Sequence, residues 1–367
     1  MAERIVVAMS GGVDSAVAAA LLRDQGFDVI GITMRVWQRS EDVAARPHRT
    51  CCSPHDLADA RAVAERLGIP FYALDLEAEF ERFVVAPFVD EYLRGRTPNP
   101  CVRCNQALKL GVLLEKARTY GCTAIATGHY VRIERNTESR RWAIGRARDR
   151  SRDQSYYLFS LGQEQLAHFR APLAVLTKEE VRRVAERLGL PVASKPGSQE
   201  ICFIPNRDYR SFVRRHSLGR QAHIAPGEIV DRQGRVLGHH KGLLDFTVGQ
   251  RRGLRIAHST PLYVIALDPE RNRVIVGEKG DVFAPGLLAS EVNWVTIEHP
   301  REPFSARVQI RYRHEAVPAR IEPLGRSRVR VVFEAPQAAV TPGQAAVFYD
   351  GENGWLLGGG WIEKAEF

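Results

Sequence analysis

A β-branched run, Ile5-Val6-Val7-Ala8, breaks at Met9-Ser10-Gly11-Gly12-Val13-Asp14-Ser15 and passes directly into an Ala/Leu-rich segment, Ser15–Gln25. Strand, tight turn and helix in that order commit this end of the chain to an α/β unit. Gly11 and Gly12 carry no Cβ, so the backbone can turn sharply and bring its N–H groups close to an anion. The helix beginning near Asp14 adds unpaired N–H donors and the positive end of its dipole. Ser10 and Ser15 supply hydroxyls, and Asp14 can hold Mg2+ or cap the helix. The junction reads as a nucleotide site; the competing reading is a glycine-rich turn without a ligand. No Gly-Lys-Ser/Thr follows, so the pattern is not a P-loop and no lysine is placed to reach a terminal phosphate.

The alternation continues through the first two hundred residues. Strand-like runs at Val29–Met34, Pro70–Leu76 and Thr123–Thr127 are separated by helical patterns at Asp56–Leu67, Ala107–Tyr120 and Glu179–Leu188. Gly26, Gly68, Gly121 and Gly189 follow the last turns, where a left-handed residue ends a helix. Thr177-Lys178-Glu179-Glu180 reads as a capping box. This predicts a doubly wound parallel sheet in a domain spanning 1–215. Beyond Arg215, Gly/Pro turns separate short alternating runs such as Ala306–Tyr312 and Arg328–Phe333. A small β-rich central domain over 216–283 and a C-terminal β-barrel over 284–367 are expected.

A chain of 367 residues suits two or three domains. No apolar run reaches the length of a membrane span, and the N-terminus enters a strand without a signal-peptide pattern. Cytoplasmic residence is therefore expected, and the six cysteines are read as catalytic or metal-binding rather than as structural disulfides. The net charge of +9 favours a polyanionic partner. Seven arginines, at 307, 311, 313, 320, 326, 328 and 330, face only Glu315 and Glu322 in their stretch. Arg140, Arg141, Arg146, Arg148, Arg150 and Arg152 form a second basic stretch around Trp142.

Thr97-Pro98-Asn99-Pro100-Cys101-Val102-Arg103-Cys104-Asn105 places a C-x-x-C between prolines and a helix expected to start at about Asn105, which would lower the pKa of a nearby thiol. Gly197-Ser198-Gln199-Glu200-Ile201-Cys202-Phe203 offers another cysteine. Three readings compete. Cys104 and Cys202 can form a redox pair, one carrying a persulfide that the other resolves. Cys101, Cys104 and Cys202 can hold an iron–sulfur cluster. Or the cysteines are structural, with Cys51, Cys52 or a histidine completing a zinc site. Cys51-Cys52 reads as packed or incidental, and Cys122 as core.

Ser10–Ser15 match the SGGxDS loop of the ATP pyrophosphatases, which cleave ATP to AMP and pyrophosphate by adenylating a substrate oxygen. Added to it are Asn99–Asn105, Thr127-Gly128-His129-Tyr130, Asp153–Leu158, Ser198–Phe203, Thr247-Val248-Gly249-Gln250-Arg251, Arg311-Tyr312-Arg313 and Pro342-Gly343-Gln344. In that order and spacing the chain resembles the tRNA-specific 2-thiouridylases over essentially its full length.

The resemblance implies an adenine nucleotide alpha hydrolase-like fold and ATP-dependent replacement of the C2 oxygen of the wobble uridine (position 34) by sulfur. It implies Cys104 as nucleophile and Cys202 as persulfide carrier. ATP, with Mg2+, would meet Ala8, Met9, Ser10, Gly11, Gly12, Val13, Asp14, Ser15, Met34 and Gly128. Asn99, Pro100 and Cys101 would face the target base; His129, Arg152, Asp153, Gln154, Arg311, Tyr312 and Gln344 would contact tRNA. The implied partners are tRNA and a persulfide-donating relay protein or cysteine desulfurase, with no membrane and a monomeric enzyme. Many relatives carry Asp where Cys101 stands, which keeps the iron–sulfur reading of Cys101, Cys104 and Cys202 open. The alternatives are a nitrogen-transferring ATP pyrophosphatase, or a tRNA-binding protein with structural cysteines and allosteric ATP.

Overall fold

The computed structural model describes residues 2–36, 54–197, 201–204, 208–217, 225–351 and 354–367. Cys51, Cys52 and Ser198-Gln199-Glu200 lie outside them. The chain forms two units, one of Met1–Val85, Pro100–Arg207 and Asn353–Leu356, the other of Ala86–Asn99, Asp208–Glu352 and Leu357–Phe367. Among the described residues no helix is long and apolar enough to cross a membrane.

The first unit is built on strands β1 (Arg4–Ala8), β2 (Asp28–Arg35), β3 (Phe71–Asp75), β4 (Ala124–Ala126), the hairpin β5 (Val131–Arg135) and β6 (Trp142–Arg146), and β7 (Phe169–Arg170). Five of them make a parallel sheet in the order β3-β2-β1-β4-β7. The order turns back beside β1, so the connections after β1 and β4 lead to opposite sides of the sheet, and it is at the carboxyl ends of such a pair that doubly wound sheets take ligands. Helix α1 (Val13–Asp24) packs its alanine-rich face on this sheet: Ala16, Val17, Ala18, Ala19 and Ala20 are all buried in one core with Ile5, Val7, Ala124 and Ala126. Gly26, Gly68, Gly121 and Gly189 all have positive φ, as helix ends require.

Helix α2 (Pro54–Leu67) and the helix Lys178–Arg187 flank α1. The second opens with the expected box: Glu180 N donates to Thr177 Oγ1 at 3.2 Å and Thr177 N to Glu180 Oε2 at 2.7 Å. One expectation fails. The helix expected at about Asn105 starts at Pro100 and runs unbroken to Thr119, its middle, Cys104–Val112, wound as a π-helix. Proline is suited to a first helical turn, because its missing N–H is not needed there. It is therefore Cys101, not Cys104, that occupies the first turn.

The second unit holds two β assemblies. Strands β8 (Gly227–Val230), β9 (Val236–His240), β10 (Tyr263–Asp268) and β11 (Arg273–Gly277) form a sheet in the order β10-β11-β8-β9 around Ile229, Leu243, Val264, Val274 and Val276. Strands β12 (Phe283–Trp294), β13 (Phe304–Gln309), β14 (Val317–Pro323), β15 (Val329–Ala338), β16 (Ala345–Tyr349) and β17 (Trp355–Glu366) follow in the order β12-β15-β14-β13-β16-β17. Pairing of β12 with β17 closes them into a barrel. Alternation is strict over the first half of β15: Val329, Val331 and Phe333 are buried while Arg330 and Val332 face outward. The first residues of β17, Trp355 and Leu356, pair with β6 inside the first unit.

Candidate active site

The loop after β1 is shaped by its glycines and by what surrounds them. Gly11 has φ +68°, and a Cβ there would lie 2.2 Å from the carbonyl oxygen of Asp56. Any side chain is thus excluded twice, by conformation and by contact. Ser15 Oγ accepts from Ser10 N at 3.2 Å and donates to Gly12 O at 3.1 Å, closing the loop on itself. Gly12 is the N-cap of α1 and offers no side-chain cap, leaving the first-turn N–H groups without an internal acceptor from it. Gly128, after β4, approaches the same helix start so closely that a Cβ would lie 2.7 Å from Asp14 C and Ser15 N. Thr33 Oγ1 donates to Met9 O at 2.7 Å, and Met34 beside it is part-buried at the end of β2. The structure thus brings Ala8–Ser15, Met34 and Gly128 to one edge of the sheet.

No lysine follows the loop in sequence, but two reach it through the fold. Lys178 Nζ donates to Asp14 Oδ1 at 2.6 Å, and Lys195 Nζ donates to Gly11 O at 2.9 Å. Neither belongs to the loop's own motif; they arrive from the start of a helix and from the segment after it, more than 160 positions away in sequence. Lys195 also bonds Asp56 Oδ1 at 2.7 Å and Asp59 Oδ2. Burial opposes its charge, but the hydrogen bonds to Asp56 and Asp59 outweigh that and hold its pKa above the ordinary value. Tyr130 donates its hydroxyl to Asp14 Oδ1 at 2.8 Å, and burial, reinforced by the Asp14 charge, keeps that phenol protonated. The capping box at Thr177 was the one local signal that could have located Lys178.

Cys101 is exposed, Cys104 and Cys202 are part-buried, and Cys122 is core as expected. Side-chain amides brace the helix that carries Cys104: Asn105 Nδ2 donates to Tyr157 O at 3.3 Å, Gln106 Nε2 to Ser160 O at 3.0 Å, and Gln165 Nε2 to both Gln106 O and Leu110 O at 2.8 Å. Gln165 thus meets two carbonyls of the π-helical stretch. Next to Cys202, Phe203 is buried with its ring edge-on to Phe80 at 5.4 Å. Among the described residues no three His, Cys, Asp or Glu side chains are grouped to hold a metal ion. Cys101, Cys104 and Cys202 are all among the described residues. A Mg2+ that travels with ATP needs only one or two carboxylates beside the phosphates, and Asp14 fits that requirement.

The residues expected to meet tRNA differ in their freedom. In the first unit Arg152 is exposed, whereas His129 and Asp153 are buried. The His129 ring bonds Thr127 Oγ1 at 2.6 Å; burial and then the charge of Lys109 push its pKa well below the usual histidine value, so it is neutral. Asp153 accepts from Ala147 N, Arg146 and Ser155 Oγ, and Gln154 Oε1 accepts from Tyr130 N. Asp153 and Gln154 hold the loop that presents Arg152. In the second unit Gln344 Nε2 donates to Thr97 O at 2.9 Å, tying down the segment that ends at Asn99. Arg311 is exposed and Tyr312 part-buried; buried Gln309 donates to both their carbonyls, at 3.1 and 2.6 Å.

The arginine-rich face of the barrel is less basic than its linear count. Arg328 pairs with Glu363 at 2.6 Å and Arg330 with Glu366 at 3.0 Å, both acids coming from β17. Arg320 meets Glu322 at 3.6 Å. Arg311, Arg313 and Arg326 have no acidic partner among the described residues, and all three are exposed.

A parallel sheet with a glycine loop at the start of α1, followed by a small β sheet and a closed barrel, defines a nucleotide-handling HUP protein with two β appendages. Family descriptions agree: residues 3–206 match the tRNA methyl transferase HUP domain, 215–278 its PRC-barrel domain, and 284–362 the aminomethyltransferase β-barrel domain. The tRNA-specific 2-thiouridylase MnmA of Geobacter metallireducens is 54% identical over 99% of this chain and 97% of its own length. That of Carboxydothermus hydrogenoformans is 47% identical over 99% and 98%. The chain belongs to the tRNA-specific 2-thiouridylase family. A solved structure from Methanocaldococcus jannaschii, described as a predicted subunit of tRNA methyltransferase, aligns with 59% of this chain and 88% of its own at 18% identity and a TM-score of 0.33.

Proposed function

We propose that this protein is a tRNA-uridine 2-sulfurtransferase acting on the wobble uridine with ATP. The observation that carries the reading is the 54% identity to a tRNA-specific 2-thiouridylase over 99% of the chain. The steps follow from the chemistry. The C2 oxygen of uridine attacks the α-phosphorus of ATP and pyrophosphate leaves, turning a poor leaving group into AMP. The terminal sulfur of a persulfide on Cys202 attacks C2, and AMP departs. The Cys104 thiolate then attacks Cys202 Sγ, forming a Cys104–Cys202 disulfide and releasing 2-thiouridine. A thiol reductant must restore both cysteines, and a persulfide-donating relay protein or cysteine desulfurase must reload Cys202.

Partial exposure of Cys104 and Cys202 supports sulfur delivery from outside. Cys101 opens the helix that carries Cys104 and, with Asn99 and Pro100, is read as facing the target base. Arg152, Arg311, Tyr312 and His129 are read as RNA contacts; Asp153, Gln154 and Gln344 act by holding the segments beside such contacts. The enzyme is read as a cytoplasmic monomer.

The test is anaerobic thiolation of unmodified tRNA by rigorously iron-free protein with Mg-ATP and a persulfide donor, read by mass spectrometry of the digested RNA. Formation of 2-thiouridine is expected. Product only after iron and sulfide are restored would replace the persulfide route by a cluster. No product under either condition would overturn the thiolase reading.

A further inference from the structure

Cys101 and Cys104 stand three positions apart on one continuous helix, and the sulfur-transfer steps above use only the second. Pro100 is the first residue of that helix, which puts Cys101 in its first turn and Cys104 at the start of the π-helical stretch. Residues three apart on a helix share a face, with about 5–6 Å between their Cβ atoms. Their Cα spacing falls inside the span of about 4.4–6.8 Å that a disulfide bridges. The cysteines differ in access: Cys101 is exposed, whereas Cys104 and Cys202 are part-buried. Directly after Cys104, Asn105 and Gln106 donate to Tyr157 O and Ser160 O. Directly after Cys202, Phe203 is buried against Phe80. A Cys104–Cys202 disulfide would therefore join two segments that the core holds down. Thiol–disulfide exchange depends on access, so that bond is less open to a reductant from solution than one ending at Cys101. The N–H groups at the start of a helix also favour a thiolate there.

We infer that Cys101 is the recycling thiol of this enzyme: it attacks Cys104 in the Cys104–Cys202 disulfide left by sulfur transfer and moves the bond to the Cys101–Cys104 pair. The inference rests on the persulfide reading of Cys104 and Cys202. In this step the Cys101–Cys104 S–S bond forms, the Cys104–Cys202 bond breaks, and the electron pair leaves with Cys202 as a thiolate. The proton of the Cys101 thiol passes to solvent, and the exchange involves no net oxidation. A dithiol reductant then gives two electrons to the Cys101–Cys104 disulfide and is itself oxidised to a disulfide. Cys202 is thereby freed for the next persulfide sulfur before the reductant arrives, and the reductant meets the bond at its exposed end.

The test is thiolation of unmodified tRNA by iron-free, full-length protein, loaded beforehand with polysulfide sulfur and freed of the excess, with Mg-ATP and no reductant. After one turnover the thiols are trapped with N-ethylmaleimide and the cysteine peptides are mapped by mass spectrometry. Wild type is expected to give 2-thiouridine, a Cys101–Cys104 disulfide and an alkylated Cys202. Cys101→Ser should stop with the Cys104–Cys202 bond in place. With polysulfide resupplied and dithiothreitol limiting, the ratio of its later turnover rate to its first should fall about tenfold or more below that of wild type, because a thiol held on the same helix outcompetes a dilute one. Raising dithiothreitol should close that gap. A merely structural role for Cys101 would slow both phases alike and leave the ratio unchanged, which overturns the inference. So does a wild-type protein that makes product yet keeps the Cys104–Cys202 disulfide with Cys101 alkylated. Product without any cysteine disulfide, or no product at all, instead removes the persulfide reading beneath it, and the inference with it.

Discussion

The nucleotide loop of the first unit and the arginine face of the barrel both carry charges balanced by residues remote in sequence, yet they are built differently. At the loop the remote groups buttress a backbone: Lys195 and Asp56 crowd Gly11, and Gly128 leans on Asp14. On the barrel the backbone is already set by ladder hydrogen bonds, and Glu363 and Glu366 merely meet side chains that project from it. Losing one contact should collapse function in the first case and grade it in the second.

The sharpest comparison is chemical. Cys104→Ser and Cys202→Ser should each abolish 2-thiouridine formation while leaving tRNA affinity within about twofold, as filter binding would check. Persistent thiolation in either variant would remove that cysteine from the mechanism. Next comes the loop. Gly11→Ala should lose ATP binding outright and destabilise the protein by about 2 kcal/mol or more, because an L side chain at positive φ is strained and the added Cβ strikes Asp56. Calorimetry and nucleotide titration would read the two losses together; normal ATP affinity would show that the backbone can give way.

The barrel should respond in smaller steps. Arg313→Ala and Arg326→Ala, whose guanidinium groups have no acidic partner among the described residues, should each reduce the salt dependence of tRNA binding by about one phosphate equivalent. Arg328→Ala and Arg330→Ala should change it less, because Glu363 and Glu366 already occupy those groups. Equal effects from all four would mean the acids let go when RNA binds.

The smallest expected effect is in pH dependence. His129 is held neutral by burial, then by Lys109, well below its ordinary value of 6.5. Below pH 6.5 the unfolded chain takes up a proton that the native state refuses, so stability falls as pH drops toward the native pKa. His129→Asn should flatten that fall but not remove it, because burial also lowers His240 and His314. An unchanged acid limb in thermal melts would show that His129 titrates alike in both states.

Much of this architecture was legible locally. Short β-branched runs marked β1, β2, β3 and β4 to within two residues, and four glycines marked helix ends that do adopt positive φ. The Thr177 box is formed as its spacing requires. The start of the helix before Cys104 was misplaced because two prolines looked like a rigid approach, although the second is the first residue of the helix. The π-helical winding had no local signal, and the amide that meets two of its carbonyls, Gln165, lies 55 and 59 positions away.

By itself the sequence determined the pieces governed by short-range physics: periodicity, left-handed glycines, caps and the anion-ready turn at Ser10–Ser15. It also marked which cysteines were candidates for chemistry. Tertiary structure alone decided which charges work together. Lys178 and Lys195 reach the loop from beyond position 170, and Glu363 and Glu366 reach the barrel arginines from the last strand. Such pairings depend on strand order and helix packing, which fix distances between residues whose separation along the chain carries no information about separation in space.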